Sequence, residues 1–314
     1  MLPIIEVTNL IKKYKNSPNN AVDGVSFSVA PGQLFALLGP NGAGKTTTIS
    51  ILTTTLSATS GKATIAGYDL ATQASNVRRN VGIIFQKPSL DLNLTAEENV
   101  RFHAMLYGLY PFRPTFGTMP KVYRDKVHEL AELLGIKDEI FRPIKTFSGG
   151  MKRKLEIMRS LLHNPKVLFL DEPTVGLDPA SRRTLWQYIR QVQATSGTTV
   201  FLTTHYLDEA EDADTICIIN KGRIVSQGTP EEVKSQLVDE YLLIDAADRA
   251  ALRAELIKQN IPFTETPRFK IPIKGRTGHR LLKSIDTPLT VLKTHTPNLE
   301  EAYISIVEQL TEEI

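Results

Sequence analysis

The stretch Leu34-Phe35-Ala36-Leu37-Leu38-Gly39-Pro40-Asn41-Gly42-Ala43-Gly44-Lys45-Thr46 runs five apolar residues straight into a glycine-rich turn. An uninterrupted apolar run suits a central strand covered on both faces. The turn satisfies G-x-x-x-x-G-K followed by Ser or Thr at every fixed position, and a helix is expected from Thr46 to about Leu56. In that context successive backbone N–H groups turn inward around phosphate oxygens, at the positive end of the helix behind them. Lys45 is placed to reach β- and γ-phosphates, and the Thr46 hydroxyl to coordinate Mg²⁺. Gly39, Pro40, Asn41, Gly42, Ala43, Gly44, Lys45, Thr46 and Thr47 are therefore the candidate phosphate-binding residues.

Upstream, Val25, Phe27 and Val29 alternate with Ser26 and Ser28, the period-2 pattern of a half-buried strand. Downstream, Thr64 to Gly67 reads as a strand and turn. From about Lys87 to His163 the periodicity becomes helical. Val127, Leu130, Ala131 and Leu134 form one apolar stripe, and Met151, Leu155, Met158 and Leu162 a second. Strands return at Val167-Leu168-Phe169-Leu170, Val200-Phe201-Leu202 and Ile216 to Ile219, with Leu185, Ile189 and Val192 as a helical face between them. The economical architecture is α/β: a mostly parallel sheet with covering helices, interrupted by a helical insertion at about 87–163. This gives a first domain over 1–235. Residues 236–314 make a small α+β unit, with a strand at Tyr241 to Ile244 and a helix at Arg249 to Lys258. A Pro-punctuated Ile271-Pro272-Ile273 follows, then a helix near Arg280 to Ile285. A final helix is expected to start at Thr296 and Pro297 and to present Leu299, Tyr303, Ile306 and Leu310.

Leu170-Asp171-Glu172-Pro173 closes a strand with two adjacent carboxylates, at the end of an α/β strand where ligands sit. Asp171 is a candidate Mg²⁺ ligand, and Glu172 a candidate base for an attacking water. Phe147-Ser148-Gly149-Gly150-Met151-Lys152-Arg153 reads as a second anion nest: a hydroxyl, two glycines and a helix N-terminus. This segment resembles the signature sequence of ATP-binding cassette ATPases, the motor subunits of ABC transporters.

The resemblance extends over about the first 230 positions and implies a P-loop NTPase fold. That fold has a RecA-like mixed-sheet core, an antiparallel β subdomain and a helical signature subdomain. It implies ATP and Mg²⁺ as cofactors, and a head-to-tail pair in which Ser148, Gly149 and Gly150 of one chain close over the other's nucleotide. It also implies that Tyr14 stacks on adenine, that Gln86 touches Mg²⁺ and signals to the membrane partner, and that Gly176-Leu177-Asp178 meets the opposing subunit. His205 would contact the γ-phosphate. Two departures stand out. Phe147 and Met151 replace the commoner Leu and Gln, and Gly108 to Lys121, rich in proline and aromatic residues, is long for the family and is a candidate docking surface. The C-terminal Pro297-Asn298-Leu299-Glu300-Glu301-Ala302-Tyr303, with the signature, resembles the branch exporting drugs, antibiotics or glycan-type substrates. The partners so implied are a second copy or a paralogous ATPase subunit, and an integral membrane permease that holds the chain at the cytoplasmic face.

Composition narrows the alternatives. The 314 residues are 41% hydrophobic and carry a formal charge of +3, so a packed core is expected and a nucleic-acid partner is not. No run approaches the about 18 apolar residues that cross a bilayer. The opening Met1-Leu2-Pro3-Ile4-Ile5-Glu6 lacks the pattern of a secretory signal. The single cysteine, Cys217, lies in an apolar run and reads as core. A GTPase reading fails at Asn220-Lys221-Gly222-Arg223, where the guanine-reading motif needs an acid at the last position; these residues read as a turn. A non-transport ATPase of the same group acting on DNA or ribosomes remains the rival. Its usual marks are paired cassettes, zinc cysteines or long coiled coils, none of which this sequence has.

Overall fold

β1 (Ile5–Lys13) and β2 (Asn20–Val29) pair antiparallel, and Val25, Phe27 and Val29 point inward as the alternation predicts; Val22 is buried as well, out of that period across an irregular register. The computed structural model describes residues 2–15, 17–86, 89–237, 241–265, 267–273, 278–295, 298–301 and 303–304. β3 (Leu34–Leu38) is buried at all five positions and delivers the chain to the glycine-rich loop. α1 (Lys45–Leu52) follows but stops short of Leu56. Three consecutive threonines end it: Thr53 Oγ1 donates back to Ile49 O at 2.8 Å, and Thr54 turns to φ 62°. Threonine hydroxyls compete for the carbonyls that would otherwise continue a helix. β4 (Ser60–Ile65) and β5 (Tyr68–Asp69), joined by Ala66 and Gly67 at φ 53° and 83°, complete an antiparallel sheet of order β2-β1-β4-β5.

After α2 (Ala74–Asn80) and β6 (Val81–Ile84), the insertion supplies α3 (Ala96–Leu106), α4 (Lys121–Leu133) and α5 (Gly149–Leu161). Thr95 and Glu98 form a reciprocal capping box on α3. Val127, Leu130, Ala131 and Leu134 are buried, as are Leu155, Met158 and Leu162 of the second stripe. The Gly108 to Lys121 segment is held down. The buried Arg101 side chain pairs with Glu97 and donates to the carbonyls of Arg113 at 2.7 Å and Pro114 at 3.0 Å. Tyr123 Oη donates to Glu97 Oε1 at 3.1 Å.

β7 (Val167–Asp171), α6 (Pro179–Ser196), β8 (Thr199–Thr204), α7 (Leu207–Ala210), β9 (Thr215–Asn220) and β10 (Arg223–Gly228) finish the first unit. Its main sheet has the order β10-β9-β3-β8-β7-β6, and β9, β3, β8, β7 and β6 run parallel. β10 returns from β9 through Lys221 and Gly222 at φ 47° and 81°, so Asn220-Lys221-Gly222-Arg223 is a turn. Phe27 of one sheet stacks on Phe35 of the other at 5.2 Å, and Phe35 on Phe201 at 5.1 Å. The core between the sheets thus fixes the strands whose carboxyl ends carry the site. Cys217 lies in this core, its thiol pushed up to about 12 by burial.

The chain divides into two compact units, Met1–Gln227 and Gly228–Ile314. In the second, α8 (Pro230–Leu237) precedes β11 (Tyr241–Ala246), α9 (Arg249–Lys258), β12 (Thr264–Glu265), β13 (Phe269–Pro272), α10 (Gly278–Lys283) and β14 (Leu289–His295). From β11 onward this is a β-α-β-β-α-β succession. Its antiparallel sheet has the order β12-β13-β11-β14. Leu242, Ile244, Leu252, Leu256, Phe269, Ile271 and Leu281 form its own core. Of the last expected helix, Leu299 to Glu301, Tyr303 and Ile304 are helical, while Thr296, Pro297, Ile306 and Leu310 lie outside the described residues.

Candidate nucleotide-binding site

Parallel pairing brings the ends of β3, β6, β7 and β8 to one edge of the main sheet, and the candidate residues arrive with them. An open cleft of about 200 Å³ is lined by Pro40, Asn41, Gly42, Gly44, Lys45, Thr46, Thr47, Gln86 and Glu172, with Ala21 from β2. Two glycines of the loop are dictated by crowding. A Cβ at Gly39 would fall 2.3 Å from Ile219 O. At Gly44, with φ +113°, it would fall 2.5 Å from Ala21 O. Behind the loop, Gly222 N donates to Ala43 O at 2.9 Å, so the β9–β10 turn buttresses it.

Glu172 is the hub of the cleft. Gln86 Nε2 donates to its Oε2 at 2.8 Å, His205 Nδ1 lies 3.3 Å from Oε1, and Lys45 Nζ lies 3.8 Å from Oε1. Lys45 Nζ also donates to the carbonyls of Gly39 at 2.6 Å and Pro40 at 3.1 Å. Burial pushes the Lys45 pKa down, while Glu172 and Asp171 pull it back up. Asp171 lies behind Glu172 and accepts from Thr203 Oγ1 at 2.6 Å. Burial raises its pKa against that bond, and the Glu172 charge raises it further. Thr203 O also accepts from Glu172 N at 3.0 Å, which holds the carboxylate pair against β8.

Tyr14 is 44% exposed beside the loop, its Oη 3.4 Å from Thr47 Oγ1. Ser148, Gly149 and Gly150 do not join this cleft. Ser148 caps α5 by accepting from Met151 N at 3.2 Å. With Gly150, Met151, Leu177 and Ser181 it lines a separate hollow of about 210 Å³. A Cβ at Gly149 would meet nothing within 4 Å, so nothing in its own chain demands glycine there. Phe147 is buried, so this departure from the family pattern is a packing residue. Asp178 is spent on capping α6, accepting from the N–H groups of Ala180 and Ser181 at 3.0 Å.

Sequence reasoning passed over the residues that brace the site. The buried Arg153 donates from Nε to Pro173 O at 2.8 Å and from Nη1 to Phe85 O at 2.7 Å. The buried Glu209 accepts from Thr174 Oγ1 and, at 2.6 Å, from Thr204 Oγ1, joining the segment after Glu172 to the residue before His205. The available signal was Arg153 and Glu156, opposite charges three apart on a helix, which are ion-paired at 2.8 Å.

Residues 22–175 match the profile of the ABC transporter family. The daunorubicin/doxorubicin resistance ATP-binding protein DrrA of Streptomyces peucetius is 42% identical over 314 residues, covering 96% of this chain and 92% of that protein. The chain belongs to the ATP-binding cassette family. The Nod factor export ATP-binding protein I of Ralstonia nicotianae is 40% identical, over 74% of this chain and 68% of its own. A solved ATP-binding subunit of an ABC transporter superposes with a TM-score of 0.64 at 32% identity, covering 74% of this chain and 92% of the other. This cassette is thus an ATP-binding, ATP-hydrolysing transporter subunit with the P-loop NTPase fold. Among the described residues no helix is long and apolar enough to cross a membrane. None of them form a group of three or more His, Cys, Asp or Glu side chains suited to a resident metal.

Proposed function

We propose that the chain drives export through a separate membrane permease, working in a head-to-tail pair with a second copy or a paralogous ATPase subunit. The observation that carries the pairing is the separation of the two anion-binding elements: the phosphate cleft and the Ser148 hollow share no lining residue. A nest with an open approach above Gly149 is suited to a phosphate carried in by another chain. The transported compound is of the drug, antibiotic, lipid or glycan class, a reading supported by the drug-resistance and Nod factor export relatives. Contact with the permease would hold the chain at the cytoplasmic face, with the Gly108 to Lys121 segment as part of the docking surface.

In this reading Tyr14 stacks on adenine, and the loop from Gly39 to Thr47 holds the phosphates. The donor set of a hydroxyl at Thr46, an amide at Gln86 and a buried carboxylate at Asp171 fits Mg²⁺ arriving with the nucleotide. The ion, when bound, would supply charge neutralisation at the β- and γ-phosphates. Glu172 takes the proton of the attacking water, oriented by Gln86 and His205, and Lys45 and His205 offset charge on the γ-phosphoryl oxygens. Catalysis is then mostly positioning and charge stabilisation. The test is complementation in mixed dimers. Ser148→Arg and Lys45→Ala chains should each be inactive alone and regain hydrolysis when mixed, because one intact shared site is rebuilt. A mixture as inactive as its components would overturn the pairing.

A further inference from the structure

Arg153 stands one turn into the helix behind Ser148, so the proposed pairing would assign it to the partner's nucleotide. Its bonds run the other way. Nη1 donates to Phe85 O, the residue before Gln86, and Nε to Pro173 O, the residue after Glu172. The same helix also grips the far side of Gln86. Glu156, the ion-pair partner of Arg153, accepts from Ser89 N at 3.1 Å. Arg159 donates to Ser89 O at 2.8 Å and to Ser89 Oγ at 2.5 Å. Arg153 and Glu156 are 5% and 1% exposed. Removing either member of a buried pair leaves the other charge without compensation. The guanidinium fork spans two carbonyls and a carboxylate at once, which a lysine ammonium on its flexible stem does not reproduce.

We propose that Arg153 is a positioning residue for its own chain's Gln86 and Glu172, with Glu156 and Arg159 as its supports. The helix that presents the nest to one nucleotide thereby sets the hydrolytic geometry at the other. This rests on the head-to-tail reading above and deepens it. α5 is the rigid element common to both sites of a dimer, so a shift of Ser148 is felt at Phe85 and Pro173 of the same chain.

The experiment is single-turnover ATP hydrolysis in mixed dimers of the full chain. One chain carries Glu172→Gln, so that all turnover comes from its partner. Arg153→Lys is then placed either in the chain that retains Glu172 or in the Glu172→Gln chain. Turnover should fall about 10- to 100-fold in the first arrangement, the scale of a small misplacement of reacting groups, and far less in the second. ATP affinity, measured by equilibrium binding, should stay within about twofold in both arrangements, since Arg153 does not line the phosphate cleft and borders the Ser148 hollow only as a side chain 5% exposed. The larger loss in the second arrangement, or equal turnover in both, overturns the proposal.

Ser148→Arg in the Glu172→Gln chain is the control. It should abolish the same turnover, and if it does not, the shared-site reading fails independently of Arg153. Should Arg153→Lys lose its cooperative melt, Arg159→Lys in the same two arrangements asks the same question. It cuts only the bonds to Ser89, and its smaller loss should also follow the chain that retains Glu172.

Discussion

At φ 46° Glu172 occupies the left-handed region, which costs a residue with a Cβ about 1–2 kcal/mol. The strain is held by Glu172 N donating to Thr203 O, and it aims the carboxylate at Gln86, His205 and Lys45. Backbone strain at the hub of the site therefore has a measurable signature. Of two variants lacking the carboxylate, Glu172→Gly should be more stable than Glu172→Ala by about 1 kcal/mol, because glycine enters this region freely. Urea unfolding of the two proteins without nucleotide checks it, and a more stable Glu172→Ala would contradict the account. The pair Asp171-Glu172 was legible in the sequence because an apolar strand ends there. The strain was not, since it depends on Thr203 of a strand about thirty residues downstream.

Whole elements were read well where periodicity and chain breaks coincide, as in β3, α9 and the apolar stripes of α4 and α5. They were read less well where side-chain hydroxyls intervene: Thr53 and Thr54 cut α1 short. The contacts between α3 and α5 were also out of reach. The His103 ring of α3 packs tilted against Tyr107 at 4.2 Å, and Tyr107 against His163, just past α5, at 5.3 Å. His103 Nε2 is buried with no partner among the described residues. Burial, with the Arg159 and His163 charges nearby, pushes its pKa from 6.5 to about 3. The His163 pKa is lowered by burial as well. Between pH 6.5 and about 3 the unfolded chain binds a proton at His103 that the folded chain refuses, so stability falls as pH falls through 6.5. The slope from this group is up to about 1.4 kcal/mol per pH unit. His103→Phe should flatten the acid side of the stability curve without abolishing its slope, as His163 still contributes. Urea midpoints from pH 7 down to pH 4.5 measure it, and an unchanged slope would refute the assignment.

At the scale of the molecule, each unit owns a core. Phe269 is fully buried among Leu242, Ile244, Leu252 and Leu256, all of them in the second unit. Phe269→Ala should destabilise the 228–314 unit by about 3–5 kcal/mol and leave ATP affinity unchanged. Calorimetry together with nucleotide titration reads both, and a large loss of affinity would contradict it. In the sequence a second unit opens at 236, where a strand follows α8, whereas the structure divides the chain at Gly228, ahead of α8. What covers each face of the second unit's sheet was not legible, since no motif marks it. The disjoint cleft and hollow of the first unit carry a consequence for heredity under the proposed pairing. A chain with a damaged Ser148 nest still enters pairs and disables its partner's nucleotide but not its own, so a pair with an intact chain keeps one of its two sites. Lesions at Ser148 and Lys45 rescue one another when carried on different chains, whereas carried on one chain they silence both sites of every pair it enters and are dominant in a mixed population.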